Sequence, residues 1–132
     1  MSGDQSRDVT VAHTRTYTDN DPHLGDIRRT CLALPETIEV EAWGRPTFRV
    51  ASKMFAIFTL QAGEYLFVFR PDSYERPALT ADPRVRLPKW WGSRGWLGLV
   101  LDDDTDHGEI AELAETSYRQ VAPKRLIAGL AE

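Results

Sequence analysis

Residues 43–58 read Trp-Gly-Arg-Pro-Thr-Phe-Arg-Val-Ala-Ser-Lys-Met-Phe-Ala-Ile-Phe. Aromatic and apolar residues interleave with cations at strand spacing, and Gly44-Arg45-Pro46 and Ala51-Ser52-Lys53 each read as a turn. Such a ribbon packs one side into a core and turns its cationic side outward. Phe48 and Val50 point one way, Thr47 and Arg49 the other. Upstream, Ile38, Val40 and Ala42 alternate with Glu39, Glu41 and Trp43. Downstream, Met54 to Leu60 is apolar on both sides, as a central strand is, and Gln61-Ala62-Gly63-Glu64 is a hairpin loop before a fourth strand over Tyr65–Phe69. Four strands joined by short turns make an antiparallel meander.

Further out the period lengthens. Asp21-Pro22 opens a helix whose apolar stripe is Leu24, Ile27, Cys31 and Leu34, and Pro35 stops it. Pro71 to Pro83 suits a short helix over Asp72–Ala81 interrupted by Pro77, and Arg84 to Arg94 a loop. Trp96 to Leu101 returns to strand, with Leu97, Leu99 and Leu101 on one face and Trp96, Gly98 and Val100 on the other. Asp106 caps the next helix, with Glu109 at the capping-box position and Ile110, Leu113, Ala114, Ser117, Tyr118 and Val121 as its buried face. A last short helix follows Pro123. The expected fold is α+β: a single antiparallel sheet of about five strands, the meander plus one, flanked by helices. Residues 1–20 are polar and aperiodic and are expected to form a disordered tail, leaving 21–132 as a single domain.

Net charge is −4, yet its distribution is uneven: residues 43–96 hold nine Lys/Arg and four Asp/Glu, the rest of the chain seven and sixteen. One cysteine excludes an internal disulfide, no apolar run reaches the ~18 residues that span a bilayer, and the start lacks the pattern of a secretory leader. A cytoplasmic monomer without membrane contact is expected.

Local motifs for chemistry are absent. The run Asp102–His107 lacks the alternation, central glycine and distal glutamate of a calcium loop and reads as a helix cap. Cys31 lies in an apolar stripe, where a thiol behaves as a small hydrophobe. Neither a phosphate loop, a dinucleotide fingerprint nor a serine elbow occurs. No catalytic residue, metal or cofactor is expected. The basic and aromatic residues remain. Arg45, Arg49, Lys53, Lys89 and Arg94 either keep a half-exposed sheet soluble or contact phosphates, with Trp90 or Trp91 as a stacking surface. In a meander the Arg45 turn and the Lys53 turn lie at opposite strand ends, roughly 17 Å apart, a span suited to two sides of a groove.

Leu34-Pro35, Trp43-Gly44, Arg45-Pro46-Thr47-Phe48-Arg49-Val50, Lys53-Met54-Phe55-Ala56, Trp91-Gly92, Arg94-Gly95-Trp96 and Ser117-Tyr118 with Val121-Ala122-Pro123-Lys124-Arg125 occur in an order that resembles the MmcQ/YjbR family. The resemblance covers about residues 24–130. It implies a fold of the secretion-chaperone type and a double-wing DNA-binding role, and it adds Lys124 and Arg125 to the candidate phosphate contacts. Two other roles stay open: an adaptor burying a protein partner's segment, and a binder of a small anion between Arg94, Lys124 and Trp91.

Overall fold

The computed structural model describes residues 14–130. Helix α1 (Pro22–Leu32) starts as its sequence demands: the Asp21 carboxylate accepts from the amides of His23 and Leu24 at 2.9 and 3.3 Å, and Pro22 occupies the first turn. Its buried stripe is Leu24, Ile27 and Cys31.

The sheet contains β1 (Ile38–Ala42), β2 (Arg45–Val50), β3 (Lys53–Gln61), β4 (Glu64–Phe69), β5 (Val85–Arg86) and β6 (Leu97–Leu101), in the order β1-β2-β3-β4-β6-β5, every pair antiparallel. Helix α2 (Arg76–Ala81) precedes β5, and α3 (His107–Val121) and α4 (Lys124–Leu130) complete the α+β fold. The expected antiparallel sheet of about five strands is observed with six, the extra one being two-residue β5, too short to show a period in the sequence. Pro77 sits in the first turn of α2, starting that helix rather than interrupting it.

Each meander hairpin turns on two residues of positive φ: Trp43 and Gly44 (56° and 79°), Ala51 and Ser52 (51° and 69°), Ala62 and Gly63 (51° and 79°). This is the tight-turn pattern that matches strand twist. It corrects the expected first turn. Proline fixes φ near about −65° and cannot take a left-handed position, so the turn falls on Trp43-Gly44, and Arg45 and Pro46 open β2. Lys53 likewise opens β3.

A register shift opposite Phe48 and Arg49 leaves Phe55 as an extra residue in β3. The bulge breaks alternation, so Phe55 and Ala56 both enter the large core, whereas Met54 and Ile57 face the other side of the sheet. The large core joins Phe48, Phe58, Phe67, Phe69, Leu97, Leu99 and Leu101 to α1 and to Ile110, Leu113, Ala114 and Tyr118 of α3. Both the expected face of α3 and the alternation of β6 are observed. Asp106 caps α3 through Gly108 N at 2.8 Å. Glu109 makes no capping box, because its carboxylate is engaged by Arg84 at 2.8 and 2.9 Å.

The Ser117 hydroxyl donates to the Phe55 carbonyl at the bulge and accepts from Arg70 N at 2.8 Å, joining α3 to β3 and to the end of β4. Ser117→Ala leaves the buried Phe55 carbonyl and the half-buried Arg70 amide without that partner. An expected loss of about 1–3 kcal/mol follows, read as a lower urea midpoint at constant slope. An unchanged midpoint would show that the bridge contributes nothing.

The packed chain begins before Asp21. Tyr17 is buried in the large core, Thr16 N donates to Gly44 O at 2.9 Å, and Arg15 and Tyr17 both bond to Glu41. Of the tail expected over 1–20, residues 1–13 lie outside the described residues. No helix among the described residues is long and apolar enough to cross a membrane.

Candidate anion-binding cleft

Helices cover one face of the sheet, and residues 87–96 fold over the other. Trp91 and Trp96 pack on Ile57, Leu66 and Val68 as a second, smaller core. The segment is held by short main-chain bonds: Gly92 N to Pro88 O at 2.8 Å and Trp96 N to Trp91 O at 3.2 Å. A 3-10 turn (Gly92–Arg94) ends at Gly95, whose φ of 96° suits only glycine without strain. Two distant side chains anchor it. The Gln61 carbonyl accepts from Lys89 N at 2.8 Å, and the Arg76 guanidinium donates to Gly95 O.

Between this segment and the sheet lies a cleft of about 840 Å³. Its walls include all four tryptophans, Trp43, Trp90, Trp91 and Trp96, together with Arg45, Lys53, Arg70 and Arg94. Met54 and Val121 add apolar surface, and among the described residues no carboxylate lines it. Trp43 and Trp91 lie 6.1 Å apart between ring centroids, and Trp90 meets Trp91 edge-on at 5.8 Å. Trp91 is 8% exposed, Trp43 43% and Trp90 65%. Trp43 and Trp90 both take positive φ (56° and 67°), a conformation bulky side chains rarely adopt and one that concentrates at binding sites.

Arg45 is the innermost cation, 9% exposed. Its Nε donates to Thr59 Oγ1 at 2.7 Å and its Nη1 to Trp43 O at 2.9 Å, while the guanidinium lies 5.7 and 5.6 Å from the ring centroids of Trp90 and Trp91. Among the described residues no carboxylate pairs with it, and burial holds its pKa below the ordinary arginine value. A cation that is fixed, recessed and without a counter-ion favours an anion arriving from outside.

The cleft gathers Arg45, Lys53, Arg94, Trp90 and Trp91 from the residues expected at a site. Arg45 and Lys53, at opposite ends of the hairpin, line this one concavity. Arg49, Lys89, Lys124 and Arg125 do not line it. Arg49 Nε donates to Thr47 Oγ1 at 3.1 Å, and Lys89 Nζ lies 5.7 Å from the Trp90 ring centroid. Arg125 forms a two-bond pair with Glu36 at 3.0 and 3.1 Å, which raises the arginine pKa and lowers the glutamate pKa. Arg84 and Arg86 are likewise engaged, by Asp82 with Glu109 and by Glu64. Arg70 and Trp43 were not expected at the site. Arg70 follows the end of β4, just before Pro71, and carries no local motif, whereas Trp43 reads as hairpin packing until its turn is placed.

Other candidates fall away on geometry. Cys31 is fully buried and burial pushes its thiol pKa up, away from the reactive thiolate. In the acidic run Asp102 accepts from Asp104 N and Asp106 from Gly108 N, the bonds of a turn and a helix cap.

A family model described as YjbR matches residues 32–120, a span that contains every cation and tryptophan of the cleft. No curated protein matches the chain.

Proposed function

This chain belongs to the YjbR family, and from that premise we propose that it is a non-enzymatic binding module holding single-stranded DNA by its phosphates at the cationic cleft. The observation that carries the reading is the lining itself: four cations and four tryptophans, with no carboxylate among the described lining residues. Single-strand sites combine a positive groove with aromatic platforms, each stacked base contributing about 1–3 kcal/mol. The surrounding acidity does not forbid this. At physiological salt the screening length is about 8 Å, so a phosphate in the cleft feels the lining far more than the net charge of −4. A rigid duplex would meet the outer surface, where Arg84, Arg86 and Arg125 are engaged by carboxylates. A flexible strand can enter the recess.

In this reading Arg49, Lys89 and Lys124 serve as outer contacts for the strand, and Arg125 reaches phosphate only by exchange from Glu36. The test is anisotropy of a labelled single strand, and of its duplex, across a salt series. Three or four phosphate contacts predict a log–log slope of about −2 to −3 for the single strand, which should bind more tightly than the duplex. Absence of binding at low salt, or a flat slope, would remove the reading.

A further inference from the structure

We propose that the inner end of the cleft is a subsite for one phosphate monoester together with the nucleobase attached to it: a single nucleotide unit, either free or at the phosphorylated end of a strand. The inference rests on the reading of the cleft as a phosphate site and adds which phosphate it selects. Three observations lead there.

The first is charge. Arg45, Lys53, Arg70 and Arg94 line one concavity with no lining carboxylate among the described residues. A monoester carries about −1.5 to −2 at neutral pH, whereas an internal diester carries a single charge. Arg45 and Lys53 sit at opposite ends of the β2–β3 hairpin, so it is the summed field of the cleft, with Arg45 as the direct contact, that favours a terminal group. The second is the fixed fork. Thr59 and the Trp43 carbonyl occupy Nε and one Nη1 hydrogen of Arg45, and the Nη2 edge has no protein acceptor among the described residues. A guanidinium held in one orientation presents paired N–H groups to two phosphate oxygens without losing further freedom. The third is the ring beside it. Trp90 is 65% exposed, braced edge-on by Trp91, and its centroid lies 5.7 Å from the Arg45 guanidinium. An anion on Arg45 therefore leaves its attached base next to a largely exposed indole, with the Lys89 ammonium also 5.7 Å from the ring centroid. The volume agrees: about 840 Å³ lies in the range of small-ligand sites and does not hold a long strand.

The experiment is calorimetric titration of the whole chain with deoxyadenosine 5′-monophosphate, deoxyadenosine 3′-monophosphate, deoxyadenosine and inorganic phosphate. Parallel titrations use an oligodeoxyadenylate bearing a 5′-phosphate, a 3′-phosphate or only hydroxyl ends. A mononucleotide should bind at least about tenfold more tightly than phosphate or nucleoside alone, and a phosphorylated end should tighten the strand by about tenfold. The 5′ and 3′ arms show which end enters. Arg45→Lys keeps the charge and loses the fork, so it should erase most of the end preference. Trp90→Ala, at an exposed position, should bring the nucleotide down to the affinity of inorganic phosphate. Equal binding of phosphorylated and hydroxyl-ended strands would overturn this inference and leave the strand-binding reading standing. Tight mononucleotide binding with no strand binding would support the subsite and overturn that reading. Silence of every ligand would remove both.

Discussion

Phe55→Ala is expected to lower the unfolding free energy by about 3–5 kcal/mol, a large share of the 5–15 kcal/mol typical of a domain. The bulge turns this ring out of strict alternation and into the large core, where it is fully buried and meets Tyr118 edge-on at 5.4 Å. The cavity left behind has little means of closing. Ser117 bonds to the carbonyl of the same residue, and Tyr118 donates its hydroxyl to Pro35 O at 2.8 Å, so α3 is held away from collapse. Met54, one residue earlier, borders the cleft instead. Met54→Ala should therefore cost clearly less in the same urea titration. A reversed order of the two variants would show that the faces of β3 are assigned wrongly.

Trp90 and Trp91 are adjacent in sequence and are expected to fail in opposite ways. Trp91 is 8% exposed and packs in the second core, so Trp91→Ala should destabilise the fold by about 3–5 kcal/mol. Trp90 is exposed and projects at the rim, so Trp90→Ala should change stability by less than about 0.5 kcal/mol. If a base stacks there, that variant loses about 1–3 kcal/mol of single-strand affinity. Thermal denaturation and anisotropy on the same two variants separate the cases. A Trp90→Ala protein that binds DNA as well as the parent would take the stacking role from this ring.

The helical face of the fold is legible in the sequence because it obeys simple periods. Leu24, Ile27 and Cys31 on α1, and Ile110 through Tyr118 on α3, repeat as a buried stripe must, and Leu97, Leu99 and Leu101 alternate against them. The opposite face is less legible. It is closed by residues 87–96, which have no period, and by main-chain bonds such as Trp96 N to Trp91 O that leave no trace in composition. The Ala51-Ser52 turn is legible in place but not in conformation: φ is left-handed at both positions without glycine, held there by pairing of the flanking strands rather than by turn chemistry. Local reading found the cations one by one. It could not tell that Arg84 and Arg86 are engaged by Asp82, Glu109 and Glu64, or that Arg70 reaches the cleft, because those outcomes depend on residues far apart in the chain.

The closing segment meets the rest of the molecule through a handful of contacts: Gln61 with Lys89, Arg76 with Gly95, and two indoles on Ile57, Leu66 and Val68. The helices and the aromatic layer beneath them lie on the far side of the sheet. Exposed side chains of this segment, Trp90 among them, thus border the cleft while contributing little to either core. A library randomised at the exposed positions of 87–96 should stay largely folded while its specificity diversifies, which makes this scaffold a practical starting point for selecting new recognition properties.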